Sequence, residues 1–192
     1  MKLIIGLGNP GKKYEKSRHN VGFMVLEALQ KSLKFEKFHE ETKWQVALSN
    51  GTYEGEKVVL VKPLTYMNLS GEAISKIVQF YKVPLKDCLM IYDDLDTPFQ
   101  SLRIRKTGGP GTHNGMKSIV EKLGSEDFPR IRIGIESRGV LTPSQQETTS
   151  FVLSSFSSEE QKVLKKMITK GVEATKSWLE EGIENAMNKY NS

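Results

Sequence analysis

Short apolar runs alternate with amphipathic stretches along most of this 192-residue chain. KLIIGL at 2–7 has the pattern of a buried strand. NVGFMVLEALQKSL at 20–33 follows as a helix, with Val21, Val25, Leu26, Leu29 and Leu33 near one face. WQVALSN (44–50) and EKVVLVKP (56–63) predict two strands joined by the turn-rich GTYEGE. SGEAISKIVQFYKV (70–83) is a second helix, CLMIYDD (88–94) a buried strand and SLRIRK (101–106) a half-exposed one. HNGMKSIVEKLG (113–124) predicts a helix stopped by Gly124, and RIRIGIE (130–136) another strand. A long C-terminal helix begins at SSEEQKVL, where Ser157 and Glu160 have capping-box spacing. Strands alternating with helices predict an α/β fold. The adjacent extended runs at 44–62 and 88–105 predict a twisted mixed sheet flanked by helices.

Composition narrows the class. Hydrophobic residues make up 38% and charged residues 27%, as in ordinary soluble globular proteins. With no repeat, low-complexity tract or linker, a single domain over 1–192 is expected. One cysteine permits no intramolecular disulfide and fits a reducing, cytoplasmic setting. The apolar run at the N-terminus is too short for a secretory core, and no stretch reaches membrane-spanning length. The net charge of +5 favours a polyanionic partner.

GLGNPG at 6–11 fits the dinucleotide fingerprint G-x-G-x-x-G. A true fingerprint opens a helix directly onto the pyrophosphate. Here KKYEKSRH intervenes, so the glycines are expected to permit a tight turn at the strand's end. That end is still where open α/β sheets bind ligands. Other chemistry-bearing residues follow other strands: Asn9 and His19; Thr65, Tyr66, Met67 and Asn68; Asp93, Asp94 and Asp96; His113 and Asn114. Each has an ordinary explanation, such as a helix cap for Asn114 or an acidic turn for DDLD. Two His-Asn pairs, 19–20 and 113–114, leave the choice of a base open. Cys88 begins a buried strand and Ser70 a helix, so both are expected to be structural.

GLGNPGKKYEKSRHNVGF, KPLTYMNLSGEA, YDDLD, HNGMKSI and FPRIRIGI, in that order, resemble bacterial-type peptidyl-tRNA hydrolase through nearly the whole chain. The resemblance implies a monomeric esterase, without metal or other cofactor, that cleaves peptide from tRNA. Its partners would be peptidyl-tRNA and tRNA, with neither a membrane nor an obligatory protein partner. It implies His19 as general base, Asp93 as the acid that orients it, and Asn9, Asn68 and Asn114 as site asparagines. Tyr14 and Tyr66 match aromatic positions near the tRNA end. Arg105 and Arg132 match a basic pair proposed to clamp a terminal tRNA phosphate. The plainer reading of those arginines is alternation, with RIR in both strands placing them on one exposed sheet face.

The chain departs from the family pattern in places. Pro110 and Thr112 stand where a small or flexible residue and a glycine are usual, so a stiffer loop is expected. DTPFQSL lacks a usual glycine, and Tyr92 replaces a frequent histidine. Two other classes stay open on sequence: a non-catalytic RNA-binding relative and a nucleotide-dependent oxidoreductase.

Overall fold

The structure, a computed structural model, describes residues 1–140 and 146–191. Seven strands form one mixed sheet: β1 (Lys2–Gly6), β2 (His39–Glu41), β3 (Val46–Tyr53), β4 (Glu56–Pro63), β5 (Cys88–Pro98), β6 (Leu102–Arg105) and β7 (Arg130–Glu136). Their order is β2-β3-β4-β1-β5-β7-β6. The central four run parallel; β2, β3 and β6 pair antiparallel with their neighbours. The helices are α1 (Val21–Leu33), α2 (Ser70–Tyr81), α3 (Asn114–Leu123), α4 (Thr148–Leu153), α5 (Ser158–Glu181) and α6 (Ile183–Tyr190).

Period-two alternation splits the core between the two faces of the sheet. Ile4, Leu60, Ile91 and Ile133 pack with Val25 and Leu29 of α1 and with Leu164 and Trp178 of α5. Leu3, Ile5, Val59 and Met90 pack with Ile74 and Ile77 of α2 and with Met116 and Ile119 of α3. With both faces covered, the central strands read as continuous apolar runs.

The predicted α/β mixed sheet is the one observed, with differences in detail. GTYEGE is mostly strand. The turn is only Glu54-Gly55, with φ of 48° and 80°, the two positive values of a tight hairpin turn. β2 and α4 are not among the predicted elements, because both are too short to show a clear period. The capping box at Ser157 and Glu160 is formed, with Ser157 N–H to Glu160 at 2.6 Å and Glu160 N–H to Ser157 at 3.2 Å. The C-terminal helix is broken at Gly182, whose φ is 84°. Asn191, just after α6, bonds both backbone groups of Ile104 on edge strand β6, at 2.7 and 2.9 Å.

The glycines of the fingerprint serve close packing more than turning. Only Gly11 has positive φ. A Cβ on Gly6 would lie 2.4 Å from the Gly22 carbonyl, and one on Gly8 would lie 2.7 Å from the Phe23 ring. These contacts let α1 press against the end of β1. The chain reaches α1 through a 3-10 turn at Arg18–Asn20, so no helix opens at the glycines. The dinucleotide fingerprint therefore lacks its structural context.

Candidate active site

A cleft of about 470 Å³ opens at the carboxyl ends of β1, β4 and β5. Asn9, Tyr14, His19, Tyr66, Asn68, Asp93 and Asn114 all line it. Seven of the nine predicted site residues are thus brought together. Arg105 and Arg132 are not among its lining residues.

Asp93 is the electrostatic centre. It lies within β5, paired in register with Ile133, and not in an acidic turn after the strand. Its side chain is 2% exposed. His19 Nδ1 approaches its two oxygens at 2.9 and 2.8 Å, and His113 Nε2 approaches Oδ1 at 3.0 Å. Burial alone would raise the Asp93 pKa, but the two imidazoles outweigh it and hold the carboxyl well below its usual range. Burial lowers the His19 pKa; the Asp93 charge and hydrogen bond outweigh this and leave it above 6.5.

The two histidines are not equivalent. His113 is the N-cap of α3, and its Nδ1 accepts the Met116 N–H at 3.1 Å. Its proton must therefore sit on Nε2, where it is donated to Asp93. Both nitrogens are used. His19 gives Nδ1–H to Asp93, and its Nε2 has no protein partner among the described residues. Of the two rings, His19 keeps a nitrogen open to the cleft and His113 does not, a difference the spacing of the two His-Asn pairs leaves open. The cap of α3 is His113, which frees Asn114 from that role.

His19, Asp93 and His113 bring three donor atoms within 4.8 Å of one another. A metal would need an unprotonated nitrogen from each ring. The Met116 N–H holds His113 in the wrong tautomer, so the donor set suits a hydrogen-bonded relay better than a cation.

Asn9 is held on both sides. Asn20 Oδ1 accepts its N–H at 2.8 Å, and Asn20 Nδ2 donates to its carbonyl at 3.0 Å. Its own Oδ1 accepts the Met67 N–H at 2.7 Å. A backbone N–H can only donate, so the amide orientation is determined. The Nδ2 hydrogens have no protein partner among the described residues and lie beside the cleft. Asn68 and Asn114 are exposed and make no side-chain hydrogen bond among the described residues. Tyr66 is 59% exposed at the rim.

Arg132 reaches Asp94 Oδ1 at 2.9 Å and Asp96 Oδ2 at 3.5 Å. It faces Arg103 across the ladder, whereas Arg105 faces Arg130. Arg103 and Arg105 are exposed, but Arg130 is 1% exposed. It donates to the carbonyls of Gly109 at 3.1 Å and Glu126 at 2.9 Å. Alternation alone therefore does not produce a uniform exposed arginine face. Arg130 secures the loop before α3.

Cys88 and Ser70 are structural, as expected. Cys88 is fully buried, and that burial pushes its thiol up to about 12. Ser70 is buried and bonds the Met67 carbonyl at 2.8 Å. Thr112 is not in the left-handed region; the positive φ values in its loop fall on Gly108 and Gly111. Thr112 therefore adds no backbone strain. Gln100, in the turn lacking the usual glycine, does adopt a φ of 76°.

Sequence reasoning missed Asn20 as the clasp of Asn9, the shared claim of His113 on Asp93, and the α4 wall. Thr148, Thr149, Val152 and Leu153 of that wall line the cleft. The HN pairs were the only signal for the first two, and no period marked the third.

The sequence profile of the family described as Peptidyl-tRNA hydrolase matches residues 3–192. A relative of that name from Caldanaerobacter subterraneus subsp. tengcongensis is 48% identical over 191 residues, covering 100% of both chains. One from Listeria monocytogenes is 43% identical, covering 100% of this chain and 99% of the relative. The crystal structure of peptidyl-tRNA hydrolase from Acinetobacter baumannii superposes with a TM-score of 0.91 at 33% identity. It covers 100% of this chain and 95% of its own. This chain belongs to the peptidyl-tRNA hydrolase family.

Proposed function

We propose that the chain hydrolyses the ester joining a peptide, or an N-blocked amino acid, to the terminal ribose of tRNA. One observation carries the residue assignment: His19 has one nitrogen tied to a buried carboxylate and the other free at the cleft. Water bound at Nε2 gives its proton to His19 while its oxygen attacks the ester carbonyl. Asp93 keeps the ring in the productive tautomer and stabilises the imidazolium. Asn9 donates its fixed amide hydrogens to the developing oxyanion. On collapse the C–O bond breaks, and His19 returns the proton to the ribose oxygen. The products are a peptide acid and a free tRNA hydroxyl.

Asn68 and Asn114 supply unpaired amide groups for the peptide backbone, and Tyr14 and Tyr66 supply faces for the tRNA end. Arg105 and Arg132 hold a tRNA phosphate outside the cleft. No metal or other cofactor is needed, because imidazole activates the water. The enzyme works as a cytoplasmic monomer, as one domain over 1–192. Among the described residues no helix is long and apolar enough to cross a membrane. The deciding experiment is turnover of an N-blocked aminoacyl-tRNA by wild type and His19→Ala after treatment with a chelator. Wild-type turnover that His19→Ala abolishes is the expected result. Near wild-type turnover in the variant overturns the assignment of the base.

A further inference from the structure

Two arginines hold the α4 wall of the cleft from opposite ends. The helix has only six residues, too few to persist by itself in water. Its position beside the turn that carries His19 must come from outside. At its C-terminal end, the Arg18 side chain, 2% exposed, donates to Ser154 Oγ at 2.6 Å, the Ser155 carbonyl at 2.8 Å and the Ser154 carbonyl at 3.3 Å. The other terminal nitrogen of Arg18 bonds Glu160 Oε2 at 2.6 Å. Glu160 is fully buried at the start of α5 and also accepts from Ser137 and from the Ser157 N–H.

At the other end, Arg138 bonds the Gln146 carbonyl at 3.0 Å and Thr148 Oγ1 at 3.1 Å, and pairs with Glu136. The buried ring of Phe151 lies near both guanidinium groups, at 4.3 Å from Arg18 and 4.9 Å from Arg138. Arg18 also precedes His19 and gives its backbone N–H to the Ser154 carbonyl at 3.0 Å. One residue therefore ties the wall to the turn that carries the base. A well-packed apolar pair could hold the fold as well as a buried Arg–Glu pair does. It could not bond three oxygens at the end of α4.

We propose that Arg18 and Arg138 are positioning residues for substrate binding, setting the distance between α4 and the His19 turn. Neither takes part in the chemistry. The proposal rests on the esterase reading above. Their loss widens or loosens the cleft, so it appears in KM and leaves kcat and the acid limb of the pH profile in place.

The test compares wild type with Arg18→Met/Glu160→Leu, which removes the bonds to α4 without leaving a buried charge unpaired. Thermal melting is followed beside steady-state kinetics on an N-blocked aminoacyl-tRNA. The expected result is a variant that still folds, with a Tm lowered by the loss of the α5 capping box and of partners for buried polar groups, KM raised on the order of tenfold and kcat within about twofold. Leu153→Ala, on the wall itself, should add less than its separate effect in that background, because both act through α4. A wild-type KM in the folded double variant overturns the proposal. So does a fall in kcat with a shifted acid limb, which would place the effect on His19. If the double variant does not fold, Arg138→Gln provides the same reading, and a wild-type KM there overturns the clamp. Turnover by wild type in the same assay tests the esterase reading separately.

Discussion

The 3-10 turn at 18–20 and the start of α3 bring two histidines to one carboxylate with similar burial, their side chains 12% and 8% exposed. Each is followed by asparagine. The regions differ in what the backbone takes from each ring. At α3 a helix N–H occupies Nδ1 of His113, so that ring serves as cap and support. At the 3-10 turn no backbone group among the described residues bonds the His19 ring, and Nε2 stays open to the cleft. Where a ring stands relative to a helix end decides between roles that residue type and burial leave equal.

Substitutions can break this contrast. The largest loss is expected from His19→Ala, roughly 10³-fold or more in kcat, with tRNA binding retained. Single-turnover rates and a filter-binding titration measure the two. Asp93→Asn comes next, costing on the order of 10²-fold or more in kcat by loss of tautomer and charge control. It also shifts the pH profile. In the proposed mechanism the base acts when neutral, so the wild-type acid limb is expected above 6.5, the direction in which Asp93 moves the His19 pKa. Without that charge only burial remains, which lowers the pKa, and the limb moves to lower pH. NMR titration of His19 checks the sign; an unmoved pKa in an intact fold breaks the coupling.

His113→Asn sharpens the comparison, because asparagine caps a helix well but cannot reproduce the bond of His113 to Asp93. A loss in kcat under about tenfold is expected, measured on the same substrate. A loss equal to that of His19→Ala would erase the distinction between the rings.

A smaller effect tests the surface outside the cleft. Arg105→Ala should lower kcat/KM several-fold on full-length peptidyl-tRNA, with a salt slope shallower by about 1. A fragment lacking the terminal phosphate should be cleaved as before. Arg132→Ala should impair both substrates, because it also frees Asp94, the neighbour of Asp93. The smallest change is in stability: Gln100→Gly should gain about 0.5 kcal/mol by relieving the left-handed residue, less the entropy of glycine. Urea melts measure it.

Much of this arrangement was legible because strands and helices with clear periods deliver their ends to one place. Asn9, His19, Asn68 and Asn114 lie after strands and Asp93 lies within one, and the family motifs single out the same residues. The rest depends on contacts between distant segments. Nothing in the letters around Asn20 says that its amide will grip the backbone of Asn9. Nothing in ETTSFVL reveals a helix stabilised by guanidinium groups from residues 18 and 138. The glycines at 6 and 8 were visible, but their reason was not, since it depends on how closely α1 approaches β1.

The pairing of Asn191 with Ile104 has a consequence for colloidal behaviour. An edge strand with free donors and acceptors is a template on which another chain can grow. The Asn191 amide offers one donor and one acceptor in the spacing of a peptide group, and so acts as a strand one residue long. It occupies the middle of a four-residue edge while adding no new edge of its own. Asn191→Leu would keep the bulk and lose the mimicry. It would leave the cleft untouched and show its effect as self-association at high concentration.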